Sequence, residues 1–118
     1  MEKKLFAFTE TLIFTEDLQA IAGDSTLFAI QNALLENPFL GDVIKGTSGA
    51  RKGRIGAPTR KSGKSGGYRF IYLYLEQNER FYLLAIYSKK EKADLRPKQA
   101  AQVSDLVRAI KNAYGEKE

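Results

Sequence analysis

The chain contains no cysteine, no histidine and no tryptophan, and only three prolines and one methionine among its 118 residues. Without cysteine there is no disulfide framework, no thiolate nucleophile and no sulfur-ligated metal site. Without histidine, the usual proton shuttle near neutral pH and the commonest zinc ligand are both missing. Acid–base chemistry must then run through lysine, tyrosine or a carboxylate. No apolar run is long enough to span a membrane, and the lysines of the opening MEKKLFAFTE have no hydrophobic segment behind them. These absences predict a soluble, cytoplasmic protein with no metal, no cofactor and no membrane partner.

The remainder is ordinary for a globular chain, 43% hydrophobic and 28% charged, and 118 residues suit one domain, 1–118, able to bury its own core. The charge is not evenly spread. Between Val43 and Leu75 lie Lys45, Arg51, Lys52, Arg54, Arg60, Lys61, Lys64 and Arg69, with no acid. That segment carries +8 against a total of +5, so the rest of the chain sums to −3. A cationic segment on an otherwise acidic protein is the footprint of a polyanion-binding surface.

Patterning predicts the elements. LFAFTET alternates like a short strand, and IFTEDLQAIAG reads as a helix stopped by Gly23. DSTLFAIQNALLENP reads as a second helix, capped by Asp24 or Ser25, with Leu27, Ile30 and Leu34 inward and Asn37-Pro38 ending it. Short strands are expected near Val43-Ile44 and from Lys52 to Ile55, around a Gly-Thr-Ser-Gly turn. YRFIYLYLE and RFYLLAIYS form a hairpin of central strands, apolar on both faces. PKQAAQVSDLVRAIKNAYG closes the chain as an amphipathic helix, with Pro97 in its first turn, Gly115 past its end, and Ala100, Val103, Leu106, Val107 and Ile110 inward. Helices do not alternate regularly with strands, so the fold class is α+β with an antiparallel sheet.

The Gly-Lys-Ser of GKSGG is not a P-loop. Pro58 stands where that motif needs its first glycine, and a strand follows instead of a helix. A dinucleotide-binding glycine fingerprint fails for the same reason. What remains is a set of guanidinium and ammonium groups on a glycine-hinged loop and its flanking strands. Alternation puts Arg69, Ile71 and Leu73 on one face of their strand, and Tyr68, Phe70, Tyr72 and Tyr74 on the other. An arginine on such an apolar strand needs an internal partner or an anionic ligand. Lys89, Lys90 and Lys92 leave the end of the hairpin's second strand, which lies beside the start of YRF. Two basic clusters distant in sequence are therefore expected at one rim of the sheet.

NPFLGDVIKGTSGARKGRIG, GKSGGYRFIYLYL and FYLLAIYSKKEKADLRPKQ together resemble the RelE/ParE superfamily of toxins from bacterial toxin–antitoxin pairs, and most of all its HigB-like branch. The resemblance covers about three-quarters of the chain and keeps the order of elements. It implies a RelE-like, microbial-ribonuclease fold with two N-terminal helices, an antiparallel sheet and a C-terminal helix. It also implies an endoribonuclease, a metal-independent mRNA interferase that inhibits translation by cleaving mRNA on the ribosome. The 2′-hydroxyl would attack the adjacent phosphate, leaving a 2′,3′-cyclic phosphate and a 5′-hydroxyl. Lys61, Lys64, Arg69 and Lys90 are then the candidate catalytic residues. Crowded lysines titrate closer to neutrality and so suit proton transfer, while Arg69 and Lys90 would stabilise charge on the phosphate. Arg51, Lys52, Arg54, Arg60, Lys89 and Lys92 are the candidates for holding the RNA backbone, and Tyr87 or Tyr68 for stacking on a base. Some relatives carry a tyrosine where Arg96 stands here. The partners implied are mRNA on the ribosome and a cognate antitoxin protein. A DNA gyrase inhibitor of the ParE kind, and a non-catalytic RNA-binding module, are the alternatives on the same scaffold.

Overall fold

A computed structural model describes residues 6–56, 67–88 and 95–114. Strand β1 (Ala7–Glu10) leads into helices α1 (Leu12–Ile21) and α2 (Asp24–Glu36), followed by strands β2 (Asp42–Val43), β3 (Arg51–Ile55), β4 (Tyr68–Leu75) and β5 (Arg80–Ser88), and helix α3 (Pro97–Ala113). The five strands form one sheet in the order β1-β5-β4-β3-β2. From β2 to β5 every pairing is antiparallel, as expected. The edge strand differs: β1 lies parallel to β5, Ala7 opposite Arg80 and Glu10 opposite Leu83. The helical pair that follows β1 carries the chain across a face of the sheet, so β1 has no hairpin partner and pairs instead with a strand distant in sequence.

Two cores lie on opposite faces of the sheet. Phe14 and Leu18 of α1 and Ile30 and Leu34 of α2 cover Phe70, Tyr72, Phe81 and Leu83. On the other face Val107 and Ile110 of α3 cover Ile71, Leu73, Leu75 and Leu84. Both hairpin strands are therefore apolar on both sides, because each side is roofed by helix. The alternation read for β4 holds along its length. In β5 a bulge intervenes: Ile71 stands opposite Ala85 and Tyr72 opposite Leu83, so Leu84 is extra.

The helix boundaries have local causes. Thr11 caps α1, its hydroxyl accepting from the Phe14 N–H at 3.0 Å. Gly23, at φ +93°, ends α1 as expected; it is also the N-cap of α2. Asp24 and Ser25, the caps expected from sequence, are instead the first two helical residues, and the Asp24 carboxylate accepts from Gln19 Nε2. In α3, Pro97 opens the helix as expected, and the Arg96 N–H donates to Gln99 Oε1. Leu106, expected inside, is 39% exposed, while Ser104 is buried with its hydroxyl paired to that of Ser48. Gly115 lies outside the described residues.

Candidate functional site

Strand β3 divides the basic segment between the two faces of the sheet. Arg51, Gly53 and Ile55 stand opposite Tyr72, Phe70 and Tyr68, on the face covered by α1 and α2. Lys52 and Arg54 stand opposite Ile71 and Arg69, on the face of α3. The close approach of β3 to β4 depends on Gly53, because a Cβ there would come within 2.5 Å of the Phe70 ring.

On the α3 face, Arg54 is directly opposite Arg69, and Arg69 is directly opposite Tyr87 on β5. Like charges directly opposite one another across a ladder are unfavourable as a pair. Arg54 is exposed and Arg69 half-buried. The adjacent row differs in charge, since Lys52 has Asp42 of β2 opposite it. In the Arg54–Arg69 row, cation stands opposite cation. It lies one rung from the end of the sheet where Ile55, Tyr68 and Ser88 align. The chain leaves β3 for residues 57–66, enters β4 from them, and leaves β5 for residues 89–94 at that same end. Arg60, Lys61, Lys64, Lys89, Lys90 and Lys92, named from the sequence, belong to these two segments and lie outside the described residues.

Three of the sequence candidates, Arg51, Tyr87 and Tyr68, are engaged within the protein. Arg51, expected on the RNA backbone, donates through Nη1 to the Gly41 carbonyl at 2.6 Å and lies over the Phe39 ring at 5.0 Å. It faces away from Arg69 and holds the α2–β2 connection. Tyr72 fastens the same connection, donating to the Pro38 carbonyl and accepting from the Gly41 N–H, each at 2.9 Å. Tyr87, expected to stack on a base, is only 6% exposed and packs in the core beneath α3, so neither face of its ring is open to a base. Tyr68 is half-buried, and its hydroxyl donates to the Ile21 carbonyl at 2.9 Å.

Burial raises the pKa of Tyr72 and of Tyr74, and pushes Tyr82 up to about 12 with help from the Tyr114 hydroxyl. These tyrosines stay protonated near neutral pH and are unsuited to act there as bases. Among the described residues no group of three histidine, cysteine, aspartate or glutamate side chains is placed to hold a metal ion, and no helix is long and apolar enough to cross a membrane.

The pairing of Arg54 with Arg69 is the feature that sequence reading missed. Both arginines were legible as basic residues on strands. Their register depends on the ten or more residues between β3 and β4, whose length does not fix it.

No family model matches the chain. Solved structures do. An arginine-to-alanine double mutant of the E. coli toxin RelE in the free state superposes with a TM-score of 0.53 at 14% identity, over 89% of this chain and 97% of that one. The RelE toxin crystallised alone matches with a TM-score of 0.51 at 16% identity, over 90% and 99%. The intact E. coli RelBE toxin–antitoxin complex matches with a TM-score of 0.51 at 15% identity, over 77% and 100%. The chain therefore has the RelE fold, an α+β architecture of three helices and a five-stranded sheet.

Proposed function

We propose that this protein is the toxin of a toxin–antitoxin pair, a single-domain mRNA interferase of the RelE kind and of its HigB-like branch. In this reading it acts in the cytoplasm, cleaves mRNA on the ribosome, and is held in check by a cognate antitoxin. The observation that carries the reading is the Arg54–Arg69 pair, facing across the ladder beside the ends of two further basic segments. The RelE fold supports it.

The chemistry asked of such a site is modest. A scissile phosphodiester held over Arg54 and Arg69 puts the growing charge of a five-coordinate phosphorus against two planar donors. A neutral lysine amine from Lys61 or Lys64 takes the 2′-hydroxyl proton, and the 2′-oxygen bonds to phosphorus. The bond from phosphorus to the 5′-oxygen breaks, and Lys90 or the second lysine returns a proton to that oxygen. The products are a 2′,3′-cyclic phosphate and a 5′-hydroxyl, formed without an external nucleophile or a metal.

The test is cleavage of a defined message by purified protein in a reconstituted translation reaction, with both new ends mapped chemically. Cut mRNA bearing a cyclic phosphate, with cleavage reduced roughly 10²-fold by Arg69→Ala or Lys61→Ala, is the expected result. A 5′-phosphate end would point to metal-assisted hydrolysis. Intact mRNA beside cleaved chromosomal DNA in arrested cells would favour gyrase as the target. Either finding sinks the proposal.

A further inference from the structure

The turn between β2 and β3 is held from within and tied to α3. Gly46, Ser48 and Gly49 stand at positive φ, +82°, +63° and +115°. Glycine adopts that region freely, whereas a serine held there calls for a local cause. Inside the turn, the Ile44 N–H donates to the Ala50 carbonyl at 2.8 Å. The buried Thr47 hydroxyl donates to the Ile44 carbonyl at 2.7 Å and accepts from the Ala50 N–H at 3.1 Å. Two contacts reach the helix: the Ser48 hydroxyl pairs with that of buried Ser104, and Lys111 Nζ donates to the Ser48 carbonyl at 3.0 Å. Beside these contacts lies a cavity of about 400 Å³, lined from the turn by Ser48 and from α3 by Arg108, Lys111 and Asn112.

We propose that this cavity binds a small phosphate anion, either free inorganic phosphate or the monoester group of a small metabolite. The lining decides the class. It carries two cations and no carboxylate, and Asp105, one turn before Arg108 on α3, lies outside it. Arg108 is exposed, and its guanidinium has no ion-pair partner among the described residues. Lys111 commits one of its three donors to Ser48 and keeps the others. Asn112 adds an amide and Ser48 a hydroxyl, so donors of different reach surround one space, which suits the several oxygens of a tetrahedral dianion. No apolar side chain lines the cavity, so nothing there holds a base, a ring or an acyl chain. The carbonyls that end α3 disfavour an anion, and Lys111 in the last turn offsets them. The bonds that hold Ser48 at φ +63° also fix its side of the lining before a ligand arrives, so less ordering opposes binding. The site is separate from the nuclease reading: the turn precedes Arg51, whereas the Arg54–Arg69 rung lies toward the other end of β3.

Amide NMR of the full chain, titrated at constant ionic strength with orthophosphate, diphosphate or glycerol 3-phosphate, tests the proposal. The expected result is saturable shifts at Ser48, Gly49 and Asn112, and the tightest of the three ligands identifies the source of the phosphate. Affinity for that ligand falls about tenfold in Arg108→Gln, an exposed position whose variant is checked by circular dichroism. It falls several-fold in Ser48→Gly, which accepts φ +63° without strain and removes the hydroxyl. Lys98→Gln, exposed in the first turn of α3, binds as wild type. Arg54→Gln leaves the shifts at Ser48 and Gly49 unchanged, which separates this cavity from the arginine rung. No saturable shifts, equal shifts with chloride, or unchanged affinity in Arg108→Gln would overturn the proposal. So would equal affinity for dimethyl phosphate, whose single charge is that of a nucleic-acid backbone. None of these readouts involves mRNA cleavage, so the two proposals fail separately.

Discussion

Replacing Arg54 by glutamine is expected to make the protein more stable and less active at once. The ladder puts Arg54 opposite Arg69, on the α3 face at the end of the sheet. Directly opposed residues have their Cβ atoms about 5 Å apart, and long side chains can splay from there, so a guanidinium separation of about 6 Å sets an upper bound on the repulsion. Two unit charges at about 6 Å repel by ~0.7 kcal/mol in a water-like medium and by ~3 kcal/mol at an effective dielectric constant near 20. Arg54 is exposed, so the lower figure governs, and salt reduces it further. Glutamine keeps much of the side-chain length and the strand while removing the charge. The variant should gain about 0.5 kcal/mol at low salt, read as a rise in melting temperature of roughly 2 °C for a chain of this size. The wild type has a compensating response. A non-cleavable 2′-deoxy dinucleotide at ten times its Kd adds about 1.4 kcal/mol to any protein that binds it only when folded. That increment should shrink in the variant. Thermal melts at low and high salt, with and without the dinucleotide, measure every term. A variant that melts lower than wild type, or responds equally to the ligand, would show that the two arginines do not form an anion clamp.

Four further outcomes are expected. Gly53→Ala should cost about 1–3 kcal/mol in chemical denaturation, because its Cβ meets the fully buried Phe70 ring at 2.5 Å; Gly56→Ala, with nothing within 4 Å, is the neutral control. Tyr72→Phe should cost about 1–3 kcal/mol, since the buried Gly41 N–H loses its acceptor and the Pro38 carbonyl its donor. Arg51→Ala should lower stability by roughly 1–2 kcal/mol through its lost bond to Gly41 and its contact with Phe39, yet leave RNA cleavage within a few fold of wild type. Stability should also fall between pH 10 and about 12. The raised pKa of Tyr82 means that the unfolded chain releases its proton first, so the stabilisation is complete below pH 10 and lost as pH rises through the folded value. Tyr82→Phe should flatten that decline in melts scanned against pH, with tyrosinate absorbance reporting the titration.

The elements legible in the sequence are those whose periodicity reports burial directly. β4 and β5 are apolar on both faces because helices roof both, and their turn residues mark the reversal. The inward stripes of α2 and α3 were legible for the same reason, at Ile30, Leu34, Val107 and Ile110. What escaped depends on contacts between distant segments. The parallel placement of β1 follows from the crossover of α1 and α2, and no local pattern encodes it. The bulge at Leu84 moves the later residues of β5 by one position, so alternation counted from Phe81 fails beyond it. Leu106 has the spacing of a core residue, but the buried stripe of α3 runs through Ser104, Val107 and Ile110, which leaves Leu106 on its flank and 39% exposed. Gly23 shows a different limit. A glycine at φ +93° ends one helix and starts the next, while the side chains of Asp24 and Ser25 suggested caps one or two residues later.

The basic segment itself holds the most instructive division. Read as composition, Arg51, Lys52 and Arg54 form one cluster, and all three suit a phosphate backbone. The pleat separates them. Arg51 turns toward α2, where the Gly41 carbonyl and the Phe39 ring take up its donors and its charge. Lys52 turns toward α3 with Asp42 across the ladder. Only Arg54 meets a second cation, Arg69, across its rung. A run of three basic residues in four positions thus yields one fastener, one residue across from a carboxylate, and one residue across from a second arginine. The period of two along β3 assigns the first of these roles, and pairing with β2 and β4 assigns the others. Positive charge counted along a chain therefore overstates what reaches a ligand; on a sheet roofed on both faces, the count that matters is taken on one face and in register.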